Sequence, residues 1–245
     1  MKKINYICAL IFMLVIASCN SDNAEEANDY KNRMKLASDW ITAGYSGKDE
    51  AIAMVSDNMA EDGEYVGSRY VGFGFVWNPD GDGMVVDYVV PDSPASSVLQ
   101  EGDSFIQVNG IELTNENRNR LGFRGKPGEN VQAVVLRDGK EVPVSFARGP
   151  IQIKYSKKQT LDNFAQADAD TWGPEDFDVI ETSVTDNGVV YVLHWEEFIE
   201  ENTEYKSNAF TITRFEFNES GKVTWIGELT EDRFVLEQQG WSISR

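Results

Sequence analysis

Cysteine, histidine and basic residues are the scarce components of this chain. Two cysteines and one histidine occur among 245 residues. Cys8 lies in an apolar run at the start and Cys19 just after it, so removal of that run leaves no pair for a disulfide. With His194 as the one imidazole, a zinc-type ligand set is not expected. No Asp-x-Asp-x-Asp-Gly loop for calcium is present either, and nothing in the sequence calls for a cofactor. Lys and Arg number 22 against 41 Asp and Glu, for a net charge of −19. The acidic excess is heaviest after residue 150, which argues against nucleic acid and lipid headgroups as partners of the folded part. No Gly-x-Ser-x-Gly motif occurs, and no long apolar run follows residue 17.

The apolar run that does occur has a recognisable order. Lys2 and Lys3 precede it, residues 7 to 17 form it, and Ile16-Ala17-Ser18-Cys19 closes it. This is the layout of a secretory signal, too short to span a bilayer comfortably. Small residues directly before a cysteine resemble the bacterial lipoprotein signal. The resemblance implies cleavage after residue 18, acylation of Cys19 and a lipid-anchored place in the bacterial cell envelope, at the outer membrane. Residues 19–28 then read as the acylated cysteine and a polar, acidic tether.

Between residues 71 and 140 five short blocks follow in order. They are Val71-Gly72-Phe73-Gly74-Phe75, Val89-Val90-Pro91-Asp92-Ser93-Pro94-Ala95, and Leu99 to Asp103 running into Ile106-Gln107-Val108-Asn109-Gly110. Arg124-Gly125-Lys126-Pro127-Gly128-Glu129 and Leu136-Arg137-Asp138-Gly139-Lys140 complete the set. Glycines at 72 and 74 are expected to allow positive φ and close approach of a ligand to the backbone. Successive N–H groups of Phe73, Gly74 and Phe75 can converge on an anion. The strand Phe75-Val76-Trp77 can accept an extended peptide at its edge.

Taken together, the blocks resemble the PDZ modules of bacterial envelope proteases. The resemblance implies recognition of a C-terminal or extended peptide of another envelope protein. Its site would use Gly72, Phe73, Gly74, Phe75 and Trp77, with Arg69 adding charge near the carboxylate. Leu121, from a short helix after Leu113, would help line the pocket for the last side chain. That helix begins Thr114-Asn115-Glu116-Asn117, without the His that selects Ser or Thr in the ligand, so an apolar or atypical ligand is expected.

The flanks read as mixed helix and strand. Tyr30, Met34, Ala37 and Ile41 mark an amphipathic helix over residues 29–45, and Ser46-Gly47-Lys48-Asp49 a capped start for a second reaching Val55. Gln159 to Ala169 reads as a third helix. Strand-like runs follow at 177–184, 189–200, 209–217 and 222–229, joined by Asp186-Asn187-Gly188 and Asn218-Glu219-Ser220-Gly221 turns. The apolar phase changes from Phe210 and Ile212 to Phe215 and Phe217, which predicts a bulge near Thr213-Arg214. Residues 231–238 suit a helical turn or another strand. This order resembles the SnoaL-like, ketosteroid-isomerase-like cone, with the PDZ-like module between its second and third helices; a plain two-domain string is the alternative. The expected class is α+β: a barrel-like PDZ sandwich inserted in, or followed by, a cystatin-like cone. Its segments would be 29–65 (helical), 66–150 (PDZ) and 151–245 (helix and antiparallel sheet).

A protease is not expected, on length and motif. Only residues 19–65 precede the module and 151–245 follow it, and the one His leaves no trypsin-like triad. On the second strand His194 and Glu196 share a face and are the candidates for acid–base chemistry, set against a plain core histidine beside a solvent-facing acid. The reading favours a non-enzymatic peptide-binding adaptor whose cone serves as scaffold, homodimer surface or second binding site. The alternative is a small-ligand carrier or isomerase-like enzyme acting in the cone.

Overall fold

The computed structural model describes residues 26–77, 83–118, 126–199 and 204–242. Cys19, the signal segment and Leu121 lie outside them. The chain divides into two compact units, residues 67–153 and the remainder on either side. In chain order, helix α1 covers residues 26–46. Helix α2 (Lys48–Asn58) and strand β1 (Met59–Val66) follow. The central unit holds β2 (Tyr70–Gly72), β3 (Phe75–Trp77), β4 (Met84–Val89), β5 (Ser104–Val108), β6 (Ile111–Glu112), β7 (Asn130–Arg137), β8 (Lys140–Ala147) and β9 (Gly149–Ile151). Next come β10 (Lys154–Ser156), α3 (Lys157–Gln166) and β11 (Asp176–Val184). The chain continues with β12 (Val190–Ile199), β13 (Lys206–Phe217), β14 (Val223–Thr230) and α4 (Asp232–Gln238). The class is therefore mixed α+β, and residues 232–238 are helical.

In the outer unit, six strands form one sheet in the order β10-β1-β14-β13-β12-β11, parallel between β1 and β14 and antiparallel elsewhere. Ala37, Trp40 and Ile41 fall on one stripe of α1 and are buried with Val55, Val190, Val192, Phe215 and Ile226. Ser156 opens α3 with a capping box: its hydroxyl accepts from the Gln159 N–H, and the Gln159 side chain accepts from the Ser156 N–H. α2 begins differently from expectation. Its N-cap is Gly47, which offers no side-chain bond, while Ser46 belongs to α1 and donates to the Thr42 carbonyl at 2.6 Å.

Two further expectations are corrected. Residues 59–65, placed in a helical segment, form β1. Met59, Ala60, Gly63 and Val66 are its buried positions, a spacing that carries no period of two. Its strand character comes from β10 and β14, both distant in sequence. The bulge near Thr213-Arg214 does not occur, because β12 and β13 pair without a break from Val190↔Phe215 to Ile199↔Lys206. The buried face of β13 is Ser207, Ala209, Thr211, Thr213 and Phe215, in one phase throughout. Phe210 and Ile212 are on the opposite face, 47% and 42% exposed. Register shifts fall instead at Glu216/Phe217 and Val179/Glu181.

In the central unit the path β3-β4-β5-β7-β8 is an open sheet, not a closed barrel; β6 adds to β5, and β2 pairs with β9 as a separate ribbon. Asn109-Gly110 and Asp138-Gly139 turn the hairpins, and both residues of each pair have positive φ, as type I′ turns demand. Phe73, Met84, Val86, Leu99, Phe105, Val135 and Phe146 are among its core. Asp103, fully buried, takes a two-pronged bond from Arg137 at 2.7 and 2.6 Å and a third from the Gln100 N–H. This pins the segment before β5 to β7.

Candidate functional site

The loop between β2 and β3 is shaped by what its carbonyls do. The Phe73 carbonyl accepts from the Ala95 N–H at 3.0 Å, and the Gly74 carbonyl from the Val90 N–H at 2.9 Å and the Ser93 hydroxyl at 3.1 Å. In a trans peptide the N–H points opposite to the C=O. Tying these two carbonyls to residues 90–95 therefore turns the N–H groups of Gly74 and Phe75 the other way. Gly74 has φ 85°, and a Cβ there would stand 2.1 Å from the Ser93 Cβ. Only glycine meets both demands. Two adjacent N–H groups aimed alike form the kind of concavity that receives an anion.

Among the described residues β3 pairs with β4 alone and so forms an edge of the sheet. Since Gly74 and Val90 are joined by a ladder bond, the next pair, Phe75↔Val89, is of the non-hydrogen-bonded kind. The N–H and C=O of Phe75 consequently face away from β4, along the open side. The edge is short, and the register shifts between Val76 and Trp77. An added strand would meet Phe75 first.

The expected site residues divide in this setting. Gly74 and Phe75 carry the loop and the edge. Phe75 is half-buried, its ring tilted on Phe105 with centroids 5.3 Å apart. Phe73, expected to line the pocket, is buried in the core edge-on to Phe146 at 5.5 Å. Gly72 does not adopt positive φ; it ends β2 opposite Gly149, so its expected conformational role is corrected. Arg69 is exposed just before β2. Trp77 is half-buried, with the Arg118 guanidinium 5.5 Å from its ring centre. Ser93 and Ala95, which hold the loop, were visible in the sequence only as part of a spaced block.

His194 and Glu196 are together in the outer unit, on the helix-covered face of β12. His194 is fully buried. Tyr45 donates to Glu196 Oε2 at 2.6 Å, and Thr211 donates to Oε1 at 2.9 Å. The Tyr45 oxygen lies 3.4 Å from His194 Nδ1, and Thr213 Oγ1 is 2.9 Å from Nε2. Because the phenol proton is committed to Glu196, the imidazole donates at Nδ1, and a neutral ring then accepts from Thr213 at Nε2. That is a neutral tautomer, in keeping with burial, which lowers the His194 pKa against the smaller opposing pull of Glu196. Both ring nitrogens are thus engaged within the protein. Among the described residues no group of three or more His, Cys, Asp or Glu is placed to hold a metal.

No protein-family model matches the chain, and no curated protein matches it. Solved structures are similar to parts of it. A serine endoprotease from Yersinia pestis shares 23% identity over 34% of this chain and 30% of its own, with a TM-score of 0.27. This chain thus spans less than a third of that enzyme. The HtrA3 PDZ domain bound to a phage-derived ligand shares 21% identity over 38% of this chain and 92% of its own, with a TM-score of 0.23. A phenazine biosynthesis-related protein from Pseudomonas aeruginosa shares 11% identity over 88% of this chain and 86% of its own, with a TM-score of 0.40.

Proposed function

We propose that the central unit is a PDZ-type module that adds an extended peptide as a strand along β3, seating a terminal carboxylate at the N–H groups of Gly74 and Phe75. The observation that carries this reading is the double anchoring of the Phe73 and Gly74 carbonyls beside a strand that, among the described residues, lies at the end of its sheet. A peptide carboxylate there gains charge-assisted bonds to backbone donors, and the strand edge supplies ladder bonds without regard to side chains. The protein as a whole is then a peptide-binding adaptor of the bacterial envelope, tethered through an acylated Cys19. We read its outer unit as a SnoaL-like cone; the order of two helices, a third helix and the β11–β14 meander supports that reading.

The test uses peptides rather than protein variants for its first arm. Peptides with free C-termini are screened for binding to residues 20–245, and each hit is repeated as its C-terminal amide. Hits are also N-methylated one residue at a time. The reading expects the amide to bind at least about tenfold more weakly. It further expects N-methylation to hurt at alternate positions only, because alternate N–H groups of a strand face the partner. Binding indifferent to both changes would remove the carboxylate loop and the strand edge from the account.

A further inference from the structure

The outer unit contains a cavity of about 110 Å³ bounded by α1, α2, α3, β1 and β14. Five aromatic side chains line it, Trp40, Tyr45, Tyr65, Phe164 and Trp172, and Glu228 is its one charged residue. The rings come from different elements and are fixed by their own contacts. The Trp172 indole N–H donates to the Gly44 carbonyl at 2.8 Å, and its ring meets Phe164 edge-on at 5.1 Å. The Tyr65 hydroxyl donates to Glu228 Oε1 at 2.8 Å. Glu228 is exposed along part of its length, and partial desolvation of its carboxyl raises its pKa against the lowering hydrogen bond from Tyr65.

We propose that this cavity is a binding site for a small organic cation, an alkyl or quaternary ammonium, whose charge rests on Glu228 and whose methyl groups lie against the aromatic walls. Ring faces carry negative electrostatic potential and attract such cations most strongly where water is excluded. No Lys or Arg lines the cavity to compete for the carboxylate. The volume suits a ligand of a few heavy atoms, since a hydrocarbon-lined cavity of about 150 Å³ accommodates benzene. The acidic protein, at −19, also raises the local concentration of cations. Glu196, across the sheet from Glu228 and held by Tyr45, adds negative charge at the same end, while His194 is neutral. This inference concerns a different unit from the peptide site and stands without it.

Tetramethylammonium and its uncharged near-isostere 2-methylpropan-2-ol decide the matter, titrated into residues 20–245 by calorimetry with ligand-observed NMR as a check. The expected result is tetramethylammonium binding in the millimolar range or tighter, with the isostere about tenfold or more weaker. Glu228→Gln keeps an acceptor for Tyr65 and should erase the preference while leaving the isostere unchanged. Trp172→Ala should weaken both. Tetramethylammonium affinity should climb with pH as Glu228 ionises, the titratable groups acting on it being Tyr65, Glu196 and Tyr45. Equal or tighter binding of the isostere, binding of neither, or a Glu228→Gln variant that keeps the preference would each overturn the proposal. Should that variant fail to fold, the ratio of the two affinities on the unaltered protein is sufficient to support or overturn it.

Discussion

Replacing Gly74 by alanine should damage the central unit far more than the same change at Gly72, although only one residue separates the two glycines. At Gly74 an alanine must hold φ near 85°, a left-handed conformation that costs an L-residue about 1–2 kcal/mol. Its Cβ would also fall 2.1 Å from the Ser93 Cβ and 2.2 Å from its Oγ. Ser93 is buried and its hydroxyl bonds the Gly74 carbonyl, so it moves only by giving up a bond worth about 1 kcal/mol. The combined cost is about 2–4 kcal/mol. At Gly72 φ is outside the left-handed region, and the nearest atoms belong to the exposed side chain of Tyr70 and not to backbone. Relief of glycine's chain entropy there offsets about 0.5–1 kcal/mol. A chain of two units need not unfold in one step, so the readout is native-state hydrogen exchange at the buried amides of β5 and β7. Protection should fall about thirtyfold to a thousandfold in Gly74→Ala and by less than about fivefold in Gly72→Ala. Adding Ser93→Gly to Gly74→Ala should recover the steric part and leave the φ strain. Equal protection in the two alanine variants would refute the reasoning.

Other outcomes follow from the same contacts. Asp103→Ala should cost about 3–5 kcal/mol, read as lost protection in β7, because it leaves the Arg137 guanidinium facing the space of a buried carboxylate; solvent reaching Arg137 would place the value at the low end. Phe215→Ala should cost about 3–5 kcal/mol while Phe210→Ala costs under about 1, two phenylalanines on opposite faces of one strand, compared by thermal unfolding of the outer unit. Burial lowers the His194 pKa below its unfolded value near 6.5, so the folded state binds fewer protons than the unfolded one. The stability it contributes is complete above about pH 6.5 and is lost as pH falls toward the folded pKa. A His194→Gln variant should therefore show a flatter acid limb in a pH series of unfolding midpoints.

Much of the secondary structure was legible because local rules govern it. α1 announces itself through Ala37, Trp40 and Ile41 at helical spacing, and the hairpin tips through Asn109-Gly110 and Asp138-Gly139. β1 was not legible, since its buried positions follow no period and its pairing partners lie far along the chain. β13 was misread for a related reason: the buried face carries Ser207, Thr211 and Thr213, while Phe210 and Ile212 look outward. Hydrophobicity alone pointed to the wrong face. Thr211 of this row holds Glu196 and Thr213 meets His194, a need that appears only once β12 and β13 are side by side.

For the candidate sites the division runs along the same line. The sequence by itself determined that a Gly-Φ-Gly-Φ loop would precede a short strand, because glycine spacing and apolar run are local properties. Only the tertiary structure decided that Gly74 alone needs positive φ, that Phe73 belongs to the core, and that β3 is left at an edge. Those outcomes depend on where Val90, Ser93 and Ala95 return to meet the loop. Likewise, no spacing rule joins Tyr65, Trp172 and Glu228, which come from a strand, a loop and a second strand. Their meeting around one cavity is a consequence of packing, which acts on distance in space and is indifferent to distance along the chain.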